Sequence, residues 1–202
     1  MFQEASPKNH MRKPMPPKPI AAGKSSFDLI DFSTFLSAMD LGDDVVLLDA
    51  ACGAGRYAVE IARQARSLRK IYAFDLWAEG ITRLKLKAGS LGLENIDAAV
   101  CDVSQTIPID DASVDVCLMA TVLHDLIKSG THAGTLAQVR RVLAPDGRLA
   151  VVEFKKMPGP PGPPEKMRLS PQDLETVLAP LGFCQRGTVE LGPVTYLSIF
   201  QR

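Results

Sequence analysis

Little in this sequence points outward to a charged partner or to a membrane. Lys plus Arg and Asp plus Glu number 23 each, so the formal net charge is zero. No overall field therefore draws the chain to nucleic acid or to an anionic bilayer. No apolar run approaches the ~20 residues of a membrane-spanning helix. The N-terminus carries Lys and Arg without the apolar stretch of a secretory signal. Cysteine is sparse: Cys52, Cys101, Cys117 and Cys184. No two have C-x-x-C spacing, which argues against a zinc or redox pair and against a disulfide framework, and makes the cytoplasm the default compartment. Three of them lie in or beside apolar runs and read as small buried hydrophobes. Thiols so dispersed also disfavour an arsenic-type acceptor, which needs them gathered at one place.

What is present is one core's worth of chain, 202 residues with 46% hydrophobic content. Residues 1–24 are rich in Pro, Lys and Arg and poor in large apolar side chains, so they read as an extended arm. Residues 25–202 read as a single domain. From Ser25 to Met39 an apolar stripe of Phe27, Ile30, Phe32, Phe35, Leu36 and Met39 predicts a helix capped by Ser25 or Ser26. A regular alternation follows. Strands are expected at Val45–Leu48, Lys70–Phe74, Ile96–Cys101, Val114–Met119 and Arg148–Phe154. Helices are expected at Arg56–Ala65, Ala78–Leu91 and Gly134–Leu143, the last ending at the turn Ala144-Pro-Asp-Gly147. Strands alternating with helices imply a parallel sheet covered on both faces, with its binding crevice at the carboxyl ends of the strands. Met157–Pro164 reads as a stiff Pro/Gly loop. Ser170 caps a helix that starts with Pro171 and stops at Gly182. Cys184–Leu191 and Val194–Phe200 flank Gly192-Pro193 as an antiparallel hairpin.

The chemistry concentrates around Asp49-Ala-Ala-Cys52-Gly53-Ala-Gly55. Glycines at 53 and 55 let the backbone approach a ligand, and the helix that follows offers free N–H groups. Gly53, Gly55 and Ala58 also satisfy the dinucleotide pattern G-x-G-x-x-[GA]. Three carboxylates sharpen the picture. Asp49 ends the first strand, Asp75 ends the second and suits two ribose hydroxyls, and Asp102 follows the third and suits an adenine amine. Taken singly, Asp49 also suits a turn and Asp102 a solvated loop. A dinucleotide site accounts for Asp75 but leaves the other two without a role. Ala22-Gly-Lys-Ser25 mimics the end of a phosphate-binding loop, but Lys18 stands where its first glycine belongs and no strand precedes it.

In these residues the chain resembles the class I S-adenosylmethionine-dependent methyltransferases, in particular the small ubiquinone/menaquinone-methyltransferase-like group. The likeness rests on Asp49–Gly55, on Phe74-Asp75, on Asp102, on Val114–Asp125 and on Arg141-Val-Leu-Ala-Pro-Asp-Gly-Arg-Leu149. It implies a Rossmann-like, doubly wound α/β sheet of seven strands, mostly parallel and closed by an antiparallel C-terminal hairpin. It implies S-adenosylmethionine as cofactor and S-adenosylhomocysteine as product. The cofactor site would comprise Asp49 at the amino group, the backbone of Ala50, Ala51, Cys52, Gly53 and Gly55 about the methionine part, Asp75 at the ribose and Asp102 at the adenine edge, together with Leu76, Cys101, Val103 and Ala120. Two departures stand out: Ala51 replaces a common glycine, and a single His124 replaces a paired histidine.

The expected function is in-line methyl transfer to an unidentified small molecule, uncharged or weakly charged, with no metal and no nucleic-acid partner. A nicotinamide oxidoreductase and a non-catalytic S-adenosylmethionine-binding protein are the alternatives. His124, beyond the fourth strand, either takes the acceptor's proton as a base or only packs. Phe27 and Phe32 either close over the methyl site, within a lid at residues 25–32, or belong to a core stripe.

Overall fold

The structure, a computed structural model, describes residues 22–202. The arm expected over residues 1–24 thus lies, up to residue 21, outside the described residues. Seven strands form one sheet: β1 (Val46–Ala50), β2 (Lys70–Asp75), β3 (Ile96–Val100), β4 (Val114–Ala120), β5 (Leu143–Phe154), β6 (Cys184–Glu190) and β7 (Thr195–Gln201). Their order is β3-β2-β1-β4-β5-β7-β6. The first five run parallel, and β7 lies antiparallel between β5 and β6. The strand order reverses between β1 and β4, and such a switch point opens a crevice at the carboxyl edge.

The six α-helices among the described residues are α1 (Phe32–Met39), α2 (Arg56–Gln64), α3 (Ala78–Ser90), α4 (Leu123–Ser129), α5 (His132–Val142) and α6 (Pro171–Leu178). Because side chains alternate along a strand, the central strands feed two cores. Leu47, Ile71, Val116 and Val152 pack with α1, α2 and α3. Val46, Leu48, Cys117 and Val151 pack with α4, α5 and α6. All five residues of β1 are buried, which accounts for its continuous apolar run.

Three sequence expectations change. The helix expected over 25–39 is two pieces, a single 3-10 turn at Phe27–Leu29 and then α1. Asp31, not Ser25 or Ser26, caps α1, accepting from the Thr34 N–H at 2.9 Å. Ser26 is buried and bonded instead to the Tyr57 hydroxyl (2.9 Å) and to Thr121 Oγ1 (3.1 Å). The stretch after β4, expected as a loop, forms α4 and stops at Gly130 with φ of 75°. Finally, β5 starts at Leu143 and passes through Ala144–Gly147 as a shift in register against β4. Ser170 does cap α6, reciprocally with Asp173. Among the described residues no helix is long and apolar enough to cross a membrane.

Candidate functional site

A cavity of about 620 Å³ opens at the carboxyl ends of β1 to β4. Each strand hands it the residues that follow: Ala51–Ala54 after β1, Asp75 and Leu76 at the end of β2, Cys101–Ser104 after β3, Thr121 and Val122 after β4. Residues 22–25 and the far end of α4 complete the wall. The turn after β1 is left-handed at Ala51 (φ 62°), Gly53 (φ 59°) and Gly55 (φ 70°). A Cβ on Gly53 would meet no protein atom within 4 Å. One on Gly55 would strike Leu84 at 2.4 Å, so that glycine lets α2 start tight against α3.

The acidic residues hold this turn in place. Asp75 Oδ2 accepts the Gly53 N–H and Oδ1 the Trp77 N–H, each at 2.7 Å. The end of β2 is thereby tied to the glycine turn. Asp102 Oδ1 accepts from the Ser104 N–H (2.9 Å) and hydroxyl (2.6 Å). Asp49 sits beneath the turn, 2% exposed, and its Oδ2 has no hydrogen-bond partner among the described residues. Burial first, then the charge of Asp75, push its carboxyl up to about 7, against a pull from the Ala58 N–H. An orphaned buried carboxylate below a glycine turn is a fit for a ligand cation.

Of the residues expected at the cofactor site, Ala51, Cys52, Gly53, Asp75, Leu76, Cys101, Asp102 and Val103 line the cavity. Asp49, Ala50 and Gly55 lie buried just behind them, and Ala120 precedes the lining residue Thr121. Burial pushes the thiols of Cys52, Cys101 and Cys117 up, so none is poised as a thiolate. His124 lies in α4 behind the wall, 5% exposed. Its Nδ1 faces the Glu153 carboxylate at 2.9 and 3.0 Å. Phe27 and Phe32 are not in the cavity lining. They belong to an aromatic cluster with Phe35 and Tyr57, ring centroids 5.2–5.4 Å apart. The Arg56 guanidinium sits 4.8 Å above the Phe27 ring.

Several wall residues escaped the sequence reading. Lys24 comes from the segment set aside as a false phosphate loop, and Asp125, Lys128 and Ser129 come from α4; Ser25, expected at the start of the lid, also lines the cavity. The signal for Glu153, fully buried in β5, was a lone acid in the apolar run Leu149-Ala-Val-Val-Glu-Phe154. The signal for α4 was the pair Ser129-Gly130 closing an apolar turn.

Residues 48–151 match the family model described as "Methyltransferase domain". The "Ubiquinone/menaquinone biosynthesis C-methyltransferase UbiE" of Citrifermentans bemidjiense is 32% identical over 111 residues, 54% of this chain and 45% of that protein. The chain thus spans under half the length of that relative. A SAM dependent methyltransferase from Aquifex aeolicus superposes with a TM-score of 0.78 at 25% identity, covering 91% of this chain and 94% of the other. The [4+2]-cyclase SpnF shares the fold at a TM-score of 0.70 and 18% identity, over 85% and 79% of the two chains.

Proposed function

Because this chain belongs to the methyltransferase-domain family and takes S-adenosylmethionine as its cofactor, we propose that it carries out in-line methyl transfer to a small-molecule acceptor inside the β1–β4 cavity. The observation that carries this reading is the orphaned Asp49 carboxylate beneath a left-handed turn, flanked by Asp75 and Asp102 at the next two strand ends. Asp49 would face the amino group of the methionine part, with the turn Ala50–Gly55 around it. Asp75 would hold the ribose, and Asp102 the adenine edge between Leu76, Cys101 and Val103, with Ala120 behind. S-adenosylmethionine, when bound, supplies a methyl group already activated by a sulfonium.

What remains for the protein is placement. Aligning an acceptor is worth up to about 7–11 kcal/mol of the barrier. Asp75 serves that end by clamping the turn through Gly53 and Trp77, so the wall that receives the cofactor is rigid. Arg56 is committed to Asp28 through two hydrogen bonds. Lys24 and Lys128 have no ion-pair partner among the described residues. The acceptors of ubiquinone/menaquinone biosynthesis, named for the Citrifermentans relative, are the first class to assay. We take residues 25–202 to work as one unit in the cytoplasm, in keeping with four free cysteines. The family match favours this chemistry over the nicotinamide alternative.

Calorimetry tests the proposal. S-adenosylhomocysteine is expected to bind and NAD not to bind comparably; tighter NAD binding would overturn it. Replacing Asp75 with Ala is expected to weaken S-adenosylhomocysteine by about 1.5–3 kcal/mol for each ribose bond lost. Unchanged affinity would show that the ribose is held elsewhere.

A further inference from the structure

Glu153 is a carboxylate with no exposure at all, on the strand that flanks β4. Such a charge is tolerated only when paired and hydrogen-bonded. Oε1 accepts the His124 backbone N–H at 3.2 Å and lies 3.0 Å from His124 Nδ1. Oε2 lies 2.9 Å from the same nitrogen and accepts the Phe154 N–H at 3.2 Å. The other charged or titratable groups around the pair are committed elsewhere. Tyr196, opposite Glu153 on β7, donates its hydroxyl to the Leu169 carbonyl. The Arg168 guanidinium is spent on the carbonyls of Lys155, Gly159, Pro161 and Pro163. The imidazole is therefore the ionisable partner of Glu153.

This pairing orders the ring. With Nδ1 against a carboxylate, neutral His124 carries its proton there and leaves the Nε2 lone pair open. Nε2 lies 3.7 Å from Asp125 Oδ2, and Asp125 lines the cavity. A buried acid, an oriented imidazole and the carboxylate of a cavity-lining residue thus stand in sequence from the sheet interior to the wall.

We infer that Glu153, His124 and Asp125 form a proton relay. Asp125 receives the acceptor's proton, His124 stores it, and Glu153 is the positioning residue that fixes the ring. The inference rests on the methyltransferase reading and narrows the acceptor to one that gives up a proton on methylation: a hydroxyl, an amine or an acidic C–H. In the relay the acceptor's X–H bond breaks and its electron pair stays on X. The proton passes to Asp125 and then to Nε2 of His124, so Asp125 returns to its anionic form. The new imidazolium faces the Glu153 carboxylate. The 3.7 Å step shortens when a ligand fills the cavity, as catalytic hydrogen bonds commonly do. Burial alone pushes His124 down, but the bond and charge of Glu153, with Asp125, outweigh it and hold the imidazole above its usual value, against Arg168.

Long-range nitrogen NMR of the imidazoles tests this directly, because the chain has three histidines and His124→Gln assigns the signal. The relay requires neutral His124 to be the Nδ1–H tautomer and to titrate above the ordinary imidazole range. Glu153→Gln, which keeps the shape, is expected to mix the tautomers and to lower proton affinity about tenfold or more. Asp125→Asn, at the cavity wall, is expected to lower it several-fold while the tautomer persists. A titration unmoved by Asp125→Asn would overturn the relay, even if Glu153→Gln fails to fold. So would an Nε2–H tautomer in the unaltered protein. S-adenosylhomocysteine binding is measured alongside: binding with an unresponsive His124 defeats the relay alone, and no binding defeats the methyltransferase reading.

Discussion

Asp49 is a residue whose stability and function pull apart. Its carboxyl is fully buried and pushed up to about 7, mainly by burial. The rise from the usual 3.8 corresponds to on the order of 4 kcal/mol. Since the folded value lies above the unfolded one, stability from the protonated form is complete below about 4 and is lost as pH rises through about 7. Asp49→Asn removes the titration. We expect this variant to melt with the parent at pH 4 and above it at pH 8, by about 1–3 kcal/mol or roughly 2–10 °C. S-adenosylhomocysteine should bind it more weakly. Thermal melts at the two pH values check the stability half, and an equal gap at both would remove the burial account. At Ala51 the conflict is steric. A φ of 62° costs a side-chain-bearing residue about 1–2 kcal/mol, of which glycine gives back about 0.4–1 kcal/mol through unfolded-chain entropy. Ala51→Gly is therefore expected to raise the melting temperature by roughly 1–3 °C, and a fall would show that the Ala51 methyl packs usefully.

At the scale of elements, the Pro/Gly loop after β5 shows how a stiff segment is anchored. Proline removes N–H donors, so the loop's carbonyls need donors from elsewhere. Arg168, 2% exposed, donates to four of them and lies 5.7 Å from the Phe154 ring. Arg168→Met keeps the bulk and removes the donors. A loss of about 2–4 kcal/mol is expected from denaturant unfolding, with no rescue by Lys, which lacks the planar fork. A loss under about 0.5 kcal/mol would mean that water replaces the guanidinium. The same loop was legible in the sequence only as stiffness; its anchor was not, because a buried arginine looks like any surface arginine until its carbonyl partners are known. The strands were legible because two-sided burial makes Val46–Leu48 and Val116–Met119 continuously apolar. The strand-end residues Ala51–Gly53, Asp75 and Asp102 came with them, since a parallel sheet puts successive carboxyl ends on one edge. α4 was not legible: it is seven residues long, and its N-cap, Val122, provides no side-chain cap. Its wall residues Asp125 and Lys128 were hidden with it. The break at Asp31 was missed because the apolar stripe runs through it, while Ser26 turned to Tyr57 and Thr121 instead of capping.

Over the whole molecule, the connection between β6 and β7 meets the segment that leads into α1. Thr195 Oγ1 donates to the Leu29 carbonyl at 2.9 Å, and the Asp31 N–H to the Leu191 carbonyl at 2.6 Å. Gly192 passes so close that a Cβ would stand 2.6 Å from the Leu29 carbonyl. With Ser26 bonded to Thr121 and Tyr57, the segment 26–31 is fastened at both sides, and of residues 22–31 only 22–25 line the cavity. Hydrogen exchange is therefore expected to show ligand-induced protection at 22–25 and little change at 27–32. Equal protection across both would restore the wider lid expected from the aromatic pair.

Proton linkage joins this architecture to binding. A cationic amino group brought to Asp49 favours the ionised carboxylate, so its titration moves down when ligand binds. Binding near pH 7 must then release a fraction of a proton, and affinity must rise with pH until Asp49 is ionised in the free protein. The slope cannot exceed tenfold per pH unit for one group. His124 changes the slope only if ligand also alters the relay, and Asp49→Asn separates the two contributions. Calorimetry of S-adenosylhomocysteine in two buffers of different ionisation enthalpy, at pH 6, 7 and 8, measures the proton count. Release that is largest at pH 6, falls to about half a proton at pH 7 and fades by pH 8 in the parent, and that vanishes in Asp49→Asn, is the expected result. Release of the same size in both proteins would move the titrating group away from the glycine turn.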